Sequence, residues 1–317
     1  MRVLARGITL SDVPSEPSKP SSSGGRSRRR RAAARLARAL TQARGERSLP
    51  ATIERHGPEP EPAPTPEALT LVSANLAHGR GVGAHQLLTK PETLRANLRG
   101  IAAWIAEANA DLACVQEADA SSWWSGRFDH VAFLAQHSGL PYVTRACNVD
   151  GGGLRYGTAL LSRWPLEQAW AHTFAPTPPT FRKGFVISSL RWPGAPELEF
   201  DVVSVHTDFA RASQRRRQVR ELAALIRQRG RPVIVAGDLN SDWREGGATR
   251  LLARDLELEA FEPTGPMVTF PGPGPSPDRR LDWVLISKAF EFSGVEAVDL
   301  RLSDHRPLLA RVRLRGA

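Results

Sequence analysis

The sequence of 317 residues has only two cysteines and no apolar run of the roughly 18 residues that a transmembrane helix needs. Cys114 and Cys147 cannot build the disulfide framework of a small secreted protein, and reduced, unpaired thiols are typical of the cytoplasm. The first residues also lack the apolar core of a secretory signal. We therefore expect a cytoplasmic protein without a transmembrane segment.

The net charge of +10 is concentrated at the N-terminus. Residues 1–66 hold 13 Arg and Lys against 6 Asp and Glu, whereas residues 67–317 hold 30 against 27. The N-terminal segment combines a basic, Ser-rich run with the Pro/Glu-rich stretch HGPEPEPAPTPE, and such a composition buries too little apolar surface to fold. We predict a disordered basic tail and linker over residues 1–66. The tail is a candidate for contact with polyanions or an acidic membrane surface, and the alternative is a solvated tail without function.

Regular patterns begin at residue 69. Apolar residues at spacings of three and four predict helices over 92–108 and 213–229, and a shorter one near 247–254. Short apolar runs such as LTLVSAN, DLACVQE and LDWVLIS predict strands between and around these helices. Several neighbouring strands have no helix between them, which favours an α+β sandwich of sheets with helices outside over a doubly wound sheet. We expect one domain over residues 67–317.

Polar side chains flank the apolar strands at six places. Any one of them is more typical of a turn or a cap, but six together favour a metal-assisted hydrolase site. Carboxylate and amide oxygens suit Mg²⁺, whereas histidines suit contact with a phosphate or activation of water. The sequence has no HExxH motif and no cluster of His and Cys with zinc spacing. The flanking residues are Asn75, Glu117, His206, Asp238, Asn240, Asp282, Asp304 and His305.

Seven motifs occur in an order that resembles the endonuclease/exonuclease/phosphatase superfamily, and the resemblance extends over residues 69–315. They are SANLAHGRG, CVQEAD, RYGTALLSR, SVHTD, VAGDLNSD, RLDWVLIS and LSDHRPL. The combination of GDLN and SDHRP after QE is the specific part of this pattern. The resemblance implies a deoxyribonuclease-like, four-layer sandwich of two packed, mainly antiparallel β-sheets flanked by helices. It also implies metal-dependent hydrolysis of a phosphoester, with Mg²⁺ as cofactor and Mn²⁺ as the alternative.

The resemblance also implies individual roles. Asp238 would orient or deprotonate the attacking water, Asn240 would assist it, and Asp282 would pair with His305. The implied metal residues are Asn75, Glu117 and Asp304. The implied catalytic residues are Tyr156, His206, Asp238, Asn240, Asp282 and His305.

The substrate stays open at this stage. Ala77 stands where DNA-repair members carry an acidic residue, which weakens a repair function and favours a phosphodiester of a phospholipid or small molecule. A DNA or RNA nuclease is the first alternative, and a catalytically inactive polyanion-binding protein is the second. We expect a monomer. Candidate substrate-binding residues, each with an ordinary structural role as the alternative, are His78, Arg80, Arg182, Lys183 and Trp243.

Overall fold

The computed structural model describes residues 47–57, 66–83, 86–272 and 275–316. Residues 1–46 of the predicted tail and residues 58–65 of the linker lie outside the described residues.

The described residues form two β-sheets of seven strands each. In spatial order, the first sheet consists of β1 (Arg47–Pro50), β7 (Glu167–Thr173), β8 (Gly184–Trp192), β9 (Ala195–His206), β10 (Val233–Asp238), β12 (Asp282–Ile286) and β11 (Glu259–Ala260). The second sheet consists of β13 (Phe290–Ala297), β14 (Leu308–Leu314), β3 (Leu69–Asn75), β4 (Leu112–Asp119), β6 (Leu154–Ser162), β5 (Tyr142–Gly151) and β2 (Ile53–Arg55).

Each sheet contains one parallel pair of strands among antiparallel neighbours. These pairs are β3 with β4 and β9 with β10. The carboxyl ends of two parallel neighbours lie at the same edge of a sheet. Asn75 and Glu117 are therefore brought to one edge of the second sheet, and His206 and Asp238 to one edge of the first.

The two sheets pack face to face because successive side chains of a strand point to opposite faces. Leu71 and Ile234 lie in the apolar layer between the sheets, whereas their neighbours Val72 and Val235 point outward. The outward faces are covered by α-helices. In the described residues these are α1 (Pro91–Glu107), α2 (His130–Ser138), α3 (Ala212–Arg229) and α4 (Ala248–Leu256).

Helices α1 and α2 cover the second sheet, where Leu98 and Leu134 pack with Val72. Helices α3 and α4 cover the first sheet, where Leu222 and Leu252 pack with Val235. The predicted four-layer α+β sandwich is confirmed, as are the three predicted helices. Helix α2 was not predicted. No helix among the described residues is long and apolar enough to cross a membrane.

The predicted disorder of residues 1–66 is wrong for residues 47–57. Strand β1 pairs with β7, with Ser48 opposite His172, and β2 pairs with β5, with Glu54 opposite Val143. Leu49 and Ile53 remain exposed on these strands. A composition-based prediction looks for buried apolar surface, whereas these two strands are held at the sheet edges by backbone hydrogen bonds, which composition does not reveal.

Candidate active site

Asp238 is the last residue of β10, and its carboxylate is buried. One oxygen, Oδ1, accepts a hydrogen bond of 2.9 Å from the backbone N–H of Asn240. The other, Oδ2, accepts one of 3.1 Å from Asn75 Nδ2. Asn240 has a φ of +48°, a conformation that Asn tolerates better than most residues. Its side-chain Nδ2 donates a hydrogen bond of 3.1 Å to Thr207 O. The two asparagines thus fix the orientation of the carboxylate.

His305 and Asp282 form a buried pair next to Asp238. His305 Nδ1 lies 2.8 Å from Asp282 Oδ2, and His305 Nε2 lies 3.8 Å from Asp238 Oδ2. Burial lowers the pKa of His305, but the charges of Asp282 and Asp238 outweigh it and raise this pKa to about 10. Burial, assisted by the charge of Asp282, raises the pKa of Asp238 to about 7 against the opposing effect of His305. His305 is therefore a cation at neutral pH, and Asp238 is poised to take up a proton.

His206, at the end of β9, also approaches the Asp238 carboxylate. Its Nε2 lies 3.3 Å from Asp238 Oδ2, and its Nδ1 lies 3.3 Å from Lys183 Nζ. Burial and the positive charge of Lys183 hold the pKa of His206 well below its ordinary value. A lysine ammonium only donates hydrogen bonds, so Nδ1 accepts and the proton of the neutral ring resides on Nε2. His206 is thus a neutral imidazole whose Nε2–H group lies close to Asp238.

Glu117 leaves the regular strand pairing of β4 at a bulge. The register of β4 and β6 shifts between Val115 and Ala118, and Glu117 has a φ of +51°. Three basic side chains surround its carboxylate: Lys183 Nζ at 3.4 Å, His78 Nε2 at 3.5 Å and Arg80 Nη1 at 3.9 Å. Burial raises the pKa of Glu117, but these charges outweigh it and hold this pKa well below its ordinary value. Glu117 is therefore ionised.

His78 belongs to a second pair of histidine and aspartate, which sequence reasoning missed. Its Nδ1 lies 2.6 Å from Oδ2 of the fully buried Asp119, and Trp124 Nε1 donates to Asp119 Oδ1 over 3.0 Å. The charges of Asp119 and Glu117 raise the pKa of His78 against the effect of burial. The signal for Asp119 was present in the motif CVQEAD, because it stands two residues after Glu117 on the same strand.

Tyr156 and Arg80 complete the cluster. The ring of Tyr156 meets the ring of His78 edge-on at 4.6 Å, and burial, followed by the charges of Glu117 and Asp119, raises the pKa of its hydroxyl well above 10. Arg80 Nη2 donates to Asp304 Oδ2. Asp304 and Glu117 are therefore joined through one guanidinium group.

Two candidate substrate-binding residues contact groups that do not belong to the cluster around Asp238 and Glu117. Arg182 donates through Nε and Nη2 to the backbone oxygen of Phe174, over 3.2 and 3.0 Å. Trp243 packs its ring against Trp283, with centroids 5.5 Å apart. The other predicted residues come together around Asp238 and Glu117.

Two groups of side chains in this cluster carry possible ligand atoms for a divalent cation. Asp238, Asp282 and His305 each place such an atom within 4.8 Å of the others, but the protonated ring of His305 has no lone pair for a metal. Glu117 and Asp304, which both lie next to Arg80, are the second group, and their side chains are 19% and 34% exposed. Partly exposed carboxylate oxygens suit a hard cation such as Mg²⁺. The donor set therefore fits the expected class of metal.

Comparisons with known proteins agree with this fold. A protein from Leptotrichia buccalis of the endonuclease/exonuclease/phosphatase family is 14% identical, with a TM-score of 0.59 over 78% of this chain and 100% of that one. A mannosyl-6-phosphatase from Bacteroides thetaiotaomicron is 15% identical, with a TM-score of 0.59 over 77% of this chain and 99% of that one. D. rerio TDP2, solved with a single-stranded DNA product, is 14% identical, with a TM-score of 0.58 over 78% of this chain and 100% of that one.

At these identities the structural likeness shows the fold alone. A search of curated proteins finds no match. The family model described as the Endonuclease/Exonuclease/phosphatase family matches residues 72–305, which include most of the described domain and every residue of the cluster around Asp238 and Glu117. The chain therefore belongs to the endonuclease/exonuclease/phosphatase family, whose members are phosphoester hydrolases.

Proposed function

We propose that the protein hydrolyses a phosphodiester with a divalent metal ion as cofactor. The observation that carries this proposal is the environment of the buried Asp238 carboxylate. Asn75 binds its Oδ2 atom, and the Nε2 atoms of His206 and His305 approach the same oxygen. A single buried carboxylate with one neutral and one cationic imidazole beside it is suited to moving a proton at a phosphorus centre.

Asp238 is the proposed acceptor of the proton from the attacking water. A general base works best when its pKa is near the working pH, and the pKa of Asp238 is about 7. His305, held by Asp282 over 2.8 Å, stays protonated and is the proposed donor to an oxygen of the phosphate. Asn240 keeps Asp238 in place through its backbone N–H.

Lys183, His206 and Tyr156 are the proposed groups that stabilise charge in the transition state. Lys183 places a buried ammonium between Glu117 and His206. The raised pKa of Tyr156 keeps its hydroxyl protonated, so that it remains a hydrogen-bond donor. Fixed donors in a site with little water are worth more than the same groups in bulk water. We also propose His78 and Arg80 as contacts for the phosphate.

Glu117 and Asp304 are the proposed metal-holding residues, with Mg²⁺ as the ion and Mn²⁺ as the alternative. When bound, such an ion neutralises phosphate charge and acts as a Lewis acid. Asn75, expected as a third ligand, has its amide nitrogen on Asp238 and its Oδ1 on the backbone N–H of Ala77 at 3.0 Å. We therefore propose that Asn75 positions Asp238.

An aromatic wall beside His78 supports a diester rather than a monoester. The wall consists of Trp124, Tyr156 and Phe181, whose ring centroids lie 5.6 to 6.0 Å apart. Trp124 also lies 4.9 Å from the His78 ring. A diester carries a second substituent, for which this wall provides partly exposed apolar surface.

The identity of the diester is the finer part of the proposal. We favour a phospholipid or small-molecule diester. The fold also includes a mannosyl-6-phosphatase and a protein solved with a single-stranded DNA product, so a phosphate monoester and a nucleic acid are the alternatives to be tested.

The experiment is a comparison of three substrates. Hydrolysis of bis(p-nitrophenyl) phosphate, p-nitrophenyl phosphate and supercoiled plasmid is measured with Mg²⁺ or with EDTA. The wild type is compared with His305→Ala and with His137→Ala, a control that removes an exposed histidine of α2. We expect diester cleavage that EDTA and His305→Ala abolish and that His137→Ala preserves.

The outcomes separate the alternatives. Plasmid nicking with the same sensitivities would make the protein a nuclease, and cleavage of the monoester alone would make it a phosphatase. Activity that survives both EDTA and His305→Ala would overturn the proposed site. The cytoplasmic location, the monomeric state and the contact of the basic tail with polyanions or an acidic membrane surface stay predictions.

A further inference from the structure

Arg80 lies between the two carboxylates proposed to hold the metal. Its Nη2 donates to Asp304 Oδ2, and its Nη1 lies 3.9 Å from Glu117 Oε2. The Arg80 side chain is 20% exposed, so the guanidinium stands at the edge of the site, neither fully buried nor free in solvent. A cation that joins these two carboxylates is therefore already present in the chain.

The loop that carries Arg80 is anchored on both sides. Arg80 Nε donates to Gly83 O over 3.0 Å, and Nη1 donates to Ala77 O over 3.3 Å. Gly81 bridges to Ser303, the residue before Asp304. This backbone bridge holds the loop next to Asp304, so the fold sets the position of the guanidinium.

An arginine is not released from a carboxylate by deprotonation, because its guanidinium stays protonated at any pH at which proteins fold. Mg²⁺ requires ligand oxygens at about 2.0–2.1 Å and tolerates little deviation from octahedral geometry. The guanidinium takes up one lone-pair direction of the Asp304 oxygen that receives Nη2, and it places a positive charge beside Asp304 and 3.9 Å from Glu117. Arg80 and a divalent cation therefore compete for Asp304 and repel each other next to Glu117.

We propose that Arg80 is an internal competitor of the metal, so that metal binding and phosphate binding are coupled. This inference rests on the proposed metal-holding role of Glu117 and Asp304. When Arg80 leaves these carboxylates it loses its charged partners, and a phosphate in the site offers it a new one with bidentate geometry. Phosphate therefore increases metal affinity, and by thermodynamic linkage the metal increases phosphate affinity by the same factor.

The test is a calorimetric titration of the full chain with Mg²⁺, repeated with Mn²⁺, in the absence and presence of inorganic phosphate. The variants are Arg80→Ala, Arg80→Lys and the control Arg250→Ala, which removes an exposed arginine of α4. Without phosphate, we expect Arg80→Ala to bind the ion about tenfold more tightly than the wild type, the effect of losing one charge-assisted hydrogen bond. Phosphate should increase the affinity of the wild type and of Arg250→Ala by a larger factor than that of Arg80→Ala, in which only the direct attraction between ion and phosphate remains.

Arg80→Lys keeps the charge but cannot span two carboxylates, and we expect an intermediate affinity. It also replaces Arg80→Ala as the deciding variant if the latter does not fold. Equal or weaker metal binding after substitution of Arg80 would overturn the inference, as would phosphate coupling in Arg80→Ala as large as in the wild type. These outcomes are separate from those of the hydrolysis assay. Diester cleavage abolished by EDTA, combined with an unchanged titration, would overturn the role of Arg80 and leave the proposed function standing.

Discussion

Asp238 and Asp282 are direct partners across the antiparallel strands β10 and β12. Both residues are 1% exposed. Two like charges opposite each other on neighbouring strands are destabilising, and burial increases the cost. His305 lies between them, with Nδ1 at 2.8 Å from Asp282 and Nε2 at 3.8 Å from Asp238. The sheet therefore holds two carboxylates together and compensates them with one imidazolium.

Asp282→Asn removes the negative charge of Asp282 and keeps the size of its side chain. The amide can still contact His305 but no longer stabilises its positive charge, so the pKa of His305 should fall from about 10. We expect kcat for the diester to decrease by about 10²–10⁴-fold, the range for loss of acid–base function. Steady-state kinetics measures this, with Asp150→Asn, an exposed aspartate of β5, as the control. A kcat within twofold of the wild type would refute the role given to the pair.

Lys183→Met removes the buried ammonium group that contacts His206 and Glu117. Removal of its charge takes away an effect that lowers the pKa of His206, so this pKa should rise. We expect kcat to decrease by about 10- to 100-fold, since a fixed charge close to the reacting group is lost. NMR titration of the His206 ring protons and steady-state kinetics measure the two effects. Lys183→Arg, which keeps the charge, is the matched variant. An unchanged His206 titration in Lys183→Met would contradict the contact.

The sequence allowed the fold class and the position of most polar residues to be predicted. Asn75, His206 and Asp238 end buried strands, and Glu117 lies two residues before the end of another. Short apolar runs make such strands recognisable in the sequence. Because parallel strands bring their carboxyl ends to one edge, these residues could be expected to meet. The pattern needs only local sequence, and the structure confirms the strands that carry it.

The individual contacts could not be predicted in the same way. Asn75 binds Asp238, 163 residues away, and Arg80 binds Asp304, 224 residues away. Which polar atoms pair across the cleft depends on side-chain placement within a few ångströms, and a linear pattern carries no such information. The strands β1 and β2 were missed for a related reason, since each is an edge strand whose single partner, β7 or β5, lies far along the chain.

Asp208 should contribute to stability in a pH-dependent way. It accepts hydrogen bonds from the hydroxyls of Thr177 and Thr180 and from the backbone N–H groups of Ala210 and Arg211, just before α3. Burial raises its pKa, but these donors outweigh it, and the pKa lies below its ordinary value. A depressed pKa adds stability above the unfolded-state pKa of about 3.9, and this stability is lost as the pH falls through the folded-state pKa.

Asp208→Asn should therefore lower the free energy of unfolding by about 1–3 kcal/mol at pH 7, because charge-assisted hydrogen bonds and the positioning of the α3 N-terminus are weakened. The difference from the wild type should shrink as the pH decreases below about 4. Urea unfolding at several pH values measures it, with Asp150→Asn as the control. A difference that stays constant down to pH 3 would show that the charge of Asp208 is not its source.

Gly237 precedes Asp238 and sets the conformation of the strand end. It has a φ of +147°, and a Cβ atom added there would lie 2.0 Å from the backbone oxygen of Val205 on the parallel strand β9. Gly237→Ala must therefore push β10 away from β9 and displace Asp238 from His206. We expect a loss of at least about 2–4 kcal/mol of unfolding free energy, the range for buried strain and overpacking, together with a loss of diester hydrolysis. Gly294→Ala is the matched control, because a Cβ at that strand position meets no atom within 4 Å. Thermal unfolding measures the stability of the two variants, and steady-state kinetics measures their diester hydrolysis. Equal stability and equal hydrolysis in both would mean that the approach of β10 to β9 does not depend on a glycine.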